Sequence, residues 1–204
     1  MIPNRLSAKF FLKPSVSIRA EDLIPVFHDW IGRKAVDETL IDVADYSHVH
    51  QGPALMLVAL EADYVLDEST GKSGIRYIRK RAVPASLESA LALVVAQAAY
   101  AGHLINVASS SSFFDTSRIE IEILDKLVFP DGNVSNNALE SAIRVVANEA
   151  FAGSDFDIQR EAQDSRRPLK IVLKSSASLS LGEIAQRLKQ SFLLQSTHEE
   201  VVVG

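Results

Sequence analysis

The chain has 204 residues, 47% hydrophobic and 23% charged, the balance of an ordinary globular protein and not of a disordered or fibrous one. Lys and Arg number 21 against 26 Asp and Glu, a net charge of −5 that offers no global field for holding a phosphate backbone. No cysteine is present, which excludes disulfides, thiolate metal sites, cysteine nucleophiles and iron–sulfur clusters.

The first 18 residues carry Arg5, Lys9 and Lys13 among apolar positions and lack the unbroken apolar centre and small-residue cleavage site of a secretory signal. The longest apolar run, 91–101, is interrupted only by Gln97, and its 11 residues fall short of the roughly 20 that a bilayer span needs. A cytoplasmic location without membrane association is therefore expected.

In chain order, residues 8–13, with Phe10, Phe11 and Leu12 ahead of Pro14, predict a short strand. Glu21 and Asp22 place negative charge in a first helical turn, and Leu23, Phe27, Trp30 and Ile31 recur at helical spacing up to Gly32, which makes Trp30 a core anchor. From 36 to 52 no period holds, and Asp37, Glu38, Asp42, Asp45, His48 and His50 crowd a segment expected to be irregular or short extended structure, the kind of long connection that often carries function. Residues 54–60 are seven apolar residues in a row, parted by a polar turn at 67–74 from 75–81, and together they predict a hairpin. Ser86 caps a helix over 87–101 that is apolar around its circumference and must be covered on more than one side. Gly102 is expected to end it, His103 to cap it and 104–108 to form a strand, with the serines at 109–112 as a junction.

Beyond the junction, Ile119, Ile121 and Ile123 alternate with Glu120 and Glu122, the pattern of a half-buried strand. Asn136 or Asn137 caps a helix with a stripe of Leu139, Ile143, Val146 and Ala150 that ends near Gly153. A second hairpin is predicted from 156–161 and 169–174, then a helix opened by the capping box Ser180 and Glu183, then a strand at 199–203.

Each half thus runs strand, helix, strand, strand, helix, strand. That order predicts an α+β protein of two tandem βαββαβ, ferredoxin-like units, 1–112 and 113–204, or else one mixed α+β domain with helices packed on an antiparallel sheet. Because 54–60 is apolar on both faces and such a sheet carries helices on one, the other face should meet the second half, another copy of the chain or a small molecule. A cavity or a homodimer contact is expected there.

Few motifs carry chemistry. Gly71, Lys72 and Ser73 resemble the end of a phosphate loop, but Leu66 stands where the first glycine belongs and a strand follows, so a hairpin turn is the better account. If 48–50 is extended, His48 and His50 lie on one side, and with Asp45 they form a candidate site for a divalent metal ion with an open position for water. Asp42 is then the neighbouring candidate base of a metal-dependent, hydrolase-like enzyme. The plain alternative is two histidines in a polar loop facing water. Arg76, Arg79, Lys80 and Arg81 beside Tyr77 fit a stacking model for single-stranded nucleic acid, which the net charge opposes; a charged strand that resists edge-to-edge association needs only the same residues. The leading expectation is a module that binds a small molecule or self-assembles, with the metal enzyme second and nucleic-acid binding third.

Overall fold

Strand β1 (Leu6–Leu12) alternates Leu6, Ala8 and Phe10 against Ser7, Lys9 and Phe11, and the two sets divide the molecule into a helix side and a far side. The computed structural model describes residues 2–49, 52–69, 71–81, 86–125, 133–161 and 168–193. After β1 come α1 (Ala20–Arg33), β2 (Leu40–Asp45), β3 (Pro53–Ala59), β4 (Ala62–Asp67), β5 (Gly74–Arg79) and α2 (Leu87–Ala108). They are followed by β6 (Phe114–Ile123), α3 (Asn133–Ala150), β7 (Phe156–Arg160), β8 (Leu169–Ser175) and α4 (Leu181–Leu188), which runs on into a π-helical turn, Lys189–Leu193.

The protein is mixed α+β, with all eight described strands in one antiparallel sheet of order β2-β3-β4-β5-β1-β6-β8-β7. The first strands of the two halves, β1 and β6, pair directly at its centre, so the ladder is continuous and does not separate into two βαββαβ sheets. Three local expectations change. Strand β4 lies between the two predicted hairpin strands, while β2 falls in the segment expected to be irregular or short extended structure. Strand β4 hides in the sequence because two of its far-side residues, Asp63 and Asp67, look like turn residues but are buried and ion-paired. Residues 104–108 extend α2 and form no strand. Gly102 is an interior contact and not a cap: a Cβ there would lie 2.5 Å from Leu181 Cδ1, so the missing side chain lets α4 approach α2. The strand expected at 199–203 lies outside the described residues.

The helix side is one hydrophobic core. Leu55 and Leu57 of β3, Tyr64 and Leu66 of β4, Ile75 and Tyr77 of β5, and Ile119 and Ile121 of β6 face it in register. Helix α2 crosses this layer against β1 and β5 and is flanked by α3 and α4, so its all-round apolar sequence is satisfied as predicted. It is the one described helix long and apolar enough to cross a membrane, and most of that window is buried inside the protein. Trp30 is fully buried beside Phe27 and Tyr64.

The far side carries no helix among the described residues, yet its centre is buried and charged. Lys9 Nζ meets Asp67 Oδ2 at 2.8 Å, and Arg76 joins Asp67 (2.9 Å), Glu120 (2.7 Å) and Glu122. Lys170 completes the set at 3.4 Å from Glu120 and 3.2 Å from Glu122. Three cations thus meet three carboxylates, as buried charges require. Strand β3 turns Met56 and Val58, both half-buried, to this side, so its expected burial on both faces is only partial and the large cavity is elsewhere.

Candidate functional site

Helix α1 ends at Lys34, whose left-handed backbone (φ 52°) returns its N–H to Trp30 O and turns the chain over the end of the sheet. Val36 is buried and pins the connection that follows. Two residues on, Glu38 reaches the sheet.

Below it stand Tyr64 and Tyr77, register partners on β4 and β5, with ring centroids 5.1 Å apart and both rings fully buried. A buried phenol needs a partner for its hydroxyl. Both find the same one: Tyr64 Oη donates to Glu38 Oε2 at 2.5 Å and Tyr77 Oη to Glu38 Oε1 at 2.8 Å. From α2, Gln97 Nε2 donates to Glu38 Oε1 at 3.1 Å. Burial, and next the charge of Glu38, push the pKa of each tyrosine up, so both stay neutral donors. Arg79 Nη1 also approaches Tyr77 Oη, at 3.5 Å, and Glu61 accepts the Thr39 N–H at 3.3 Å.

Glu38 lies on the wall of a groove of about 1050 Å³ between the 34–39 connection, α2 and α4. Helix α2 contributes Leu93, Ala96, Gln97, Tyr100 and His103, which recur at helical spacing on one face. Opposite, the capping box of α4 is formed as predicted, Ser180 Oγ accepting the Glu183 N–H at 3.2 Å while the Glu183 carboxylate accepts the Ser180 N–H at 2.7 Å. His103 is no helix cap: its ring stacks on Tyr100 and lies so close to Gly182 that a Cβ there would be 3.0 Å from Nδ1. Lys189 Nζ bridges to Asp37 Oδ2 at 3.2 Å, tying the end of α4 to the 34–39 connection.

The residues singled out from the sequence fall elsewhere. Asp42 pairs with Val58 on the far side of β2 and its carboxylate accepts the Val43 N–H at 2.8 Å. Asp45 pairs with Leu55, on the opposite side, and accepts the Ser47 N–H at 2.8 Å, a bond that holds its carboxyl below the usual carboxylate range. His48 is exposed and stacks on Tyr46, while His50 lies outside the described residues. The register therefore separates Asp42 from Asp45, and among the described residues no three His, Asp or Glu side chains gather as a metal set. The basic run disperses as well: Arg76 is buried in the far-side ion pairs, Arg79 lines the groove, and Lys80 pairs with Asp63 at 2.7 Å. Gly71, at φ +67°, sits in the link between β4 and β5, the turn expected there.

The sequence does not join Glu38, Tyr64, Tyr77 and Gln97 into one site: Tyr77 stands out there only beside the basic run, and Glu38 only in the acid-rich connection. One signal was visible, Gln97 as the lone polar residue of the longest apolar run, since a buried amide needs partners. No protein-family model matches the chain, and neither a curated protein nor a solved structure shows significant similarity to it.

Proposed function

We propose that the protein is a binding module that takes a small organic molecule into the groove between the 34–39 connection, α2 and α4. The observation that carries this is the groove itself, about 1050 Å³, close to the upper end of the range that small-molecule sites occupy. Its composition supports the reading. Apolar side chains from α2 supply contact area, and a few polar groups held by other buried groups supply direction. Tyr64 and Tyr77 are fully buried and hold Glu38 by hydrogen bonds, so Glu38 is placed before any ligand arrives.

A fragment screen observed by NMR on the whole chain tests it, repeated on Leu93→Trp. Leu93 is half-buried on the groove wall, and an indole there fills ligand space without entering the core between α2 and the sheet. Hits that shift resonances of α2 and α4 and vanish in Leu93→Trp are expected. Hits that persist unchanged in that variant, or none at all, refute the assignment.

A further inference from the structure

The chemical class of the ligand follows from which atoms of the groove wall are already engaged, an argument that rests on the groove being the binding site. Glu38 Oε1 accepts two hydrogen bonds, from Tyr77 and Gln97, and Oε2 accepts one, from Tyr64. A carboxylate offers about four acceptor positions. One position on Oε2 is left for the groove.

Gln97 adds a second acceptor. Its amide nitrogen is turned onto Glu38, which fixes the orientation of the amide, and no described residue donates to its carbonyl oxygen. Three donors of this wall, two phenols and an amide, are thus directed at Glu38, and what they leave for a ligand is a carboxylate oxygen beside an amide oxygen. Among the charges that line the groove, the carboxylates of Asp37, Glu38, Glu61 and Glu183 stand against the cations of Lys34, Arg79 and Lys189. Lys189 is engaged by Asp37, and Glu183 by the start of its own helix. Leu93, Ala96 and the exposed ring of Tyr100 continue the wall as an apolar and aromatic surface.

We propose that the groove binds an organic cation: a primary ammonium or guanidinium head donating to Glu38 Oε2 and Gln97 Oε1, with an apolar or aromatic body lying along Leu93 and Tyr100. A donor head alone would be satisfied by the two oxygens. A charged one gains the stronger, charge-assisted bond to the half-buried carboxylate of Glu38, which Tyr64, Tyr77 and Gln97 hold as neutral donors. The rival is an anionic ligand held by Arg79 and Lys34, which line the same groove.

Three probes with one body and different heads separate these cases: phenethylamine, phenethyl alcohol and phenylpropionate, titrated into the whole chain by NMR. Phenethylamine is expected to bind about tenfold or more tightly than the alcohol, with phenylpropionate weakest. Glu38→Gln keeps the shape and loses the charge. It should lower phenethylamine affinity about tenfold and leave the alcohol within about threefold, and alcohol binding also reports that the groove is still folded. Gln97→Leu, at a half-buried position, is the second variant and should weaken phenethylamine selectively even if Glu38→Gln does not fold. Equal affinity for the three heads, or preference for phenylpropionate, overturns the cation assignment while leaving the groove as the site. Binding of none of them, together with a fragment screen empty of groove hits, refutes the binding site itself.

Discussion

Replacing Arg76 by Met tests the far-side ion cluster directly. The guanidinium donates to Asp67 Oδ2 (2.9 Å), Ser7 Oγ (3.1 Å), Glu120 Oε1 (2.7 Å) and Glu122, and Met fills much of the stem while providing none of these bonds. Asp67 then keeps Lys9, and Glu120 and Glu122 share Lys170, so two cations face three carboxylates where three faced three. Glu120 is 2% exposed and Asp67 4%, while Glu122 is half-buried, so the surplus charge reaches water only in part. Removing one partner of a buried ion pair costs about 3–5 kcal/mol, a large part of the roughly 5–15 kcal/mol that holds a domain folded. With a urea m-value of about 2–3 kcal/mol/M for a chain of this size, the midpoint should fall by about 1–2 M. Fluorescence of Trp30, the single tryptophan and fully buried, reports the transition. Adding Glu120→Gln to Arg76→Met rebalances the cluster and should recover a substantial part of the loss. The pH dependence gives a second, independent readout. Burial alone would raise the Asp67 pKa, but Arg76 and Lys9 outweigh it and hold the carboxyl far below the usual range. A depressed folded-state pKa contributes stability that is complete above the ordinary carboxylate pKa of about 4 and is lost as pH falls below it. Without Arg76 that contribution shrinks, so the gap between wild type and Arg76→Met should narrow as pH drops from 5 toward about 3. A midpoint change of under about 0.5 M, or a gap that stays constant through that acid range, refutes the balanced-cluster argument.

Three further outcomes follow from the same geometry. Tyr64 and Tyr77 have raised pKa values, so they should add no tyrosinate absorbance until the chain unfolds; their stabilising contribution is full below the unfolded pKa of about 10 and declines above it, and smooth titration of all four tyrosines in folded protein would contradict this. Glu38→Ala leaves two buried phenols and Gln97 without their shared acceptor and should destabilise by about 2–4 kcal/mol in urea, whereas Glu38→Gln should lose less than half of that; equal losses would show that hydrogen bonding is not what Glu38 contributes. Gly102→Leu should drive a side chain into Leu181, Ile75 and Phe114 and lower the thermal midpoint by several degrees, with Leu181→Ala added to it restoring part of the loss; an unchanged midpoint for Gly102→Leu would mean that α4 does not pack as closely on α2 as described.

How far the sequence exposes the fold depends on whether a pattern is local. The strand at Ile119, Ile121 and Ile123, the Ser180 and Glu183 capping box and the all-round apolar character of α2 are read correctly because each is complete within one element, although Glu120, expected on a polar face, is buried. Strand β4 is missed because Asp63 and Asp67 carry their signal in partners 17 and 58 residues away, Lys80 and Lys9. Gly102 and His103 mislead for a related reason: a glycine followed by a histidine resembles a helix end, and only the later arrival of α4 makes both interior residues. The groove is harder still. Glu38 sits in a stretch without period, and the residues it joins, Tyr64, Tyr77 and Gln97, come from β4, β5 and α2. The crowding of acids and histidines from 36 to 52 marks the connection that carries Glu38, but the residues that resemble a metal set, Asp42, Asp45 and His48, are not among those that line the groove.

The two sides of the sheet argue together about where a ligand can act. On the far side, Lys9, Arg76 and Lys170 are matched by Asp67, Glu120 and Glu122, so the buried charges answer one another and leave none over for a guest. On the helix side, Glu38 is only half-buried, is held directly by neutral donors with Arg79 next to it through Tyr77, and lines the groove. A carboxylate held directly by neutral donors alone gains a charge-assisted bond from a cationic ligand. The same sheet thus closes one cluster and leaves the other incomplete. Substitutions in the first should move stability and leave ligand affinity nearly constant, as Arg76→Met can show at a urea concentration well below its own transition. Substitutions at Glu38 and Gln97 should move affinity by factors that stability does not explain, and if affinity followed stability in both sets, the two sides would not be doing different work.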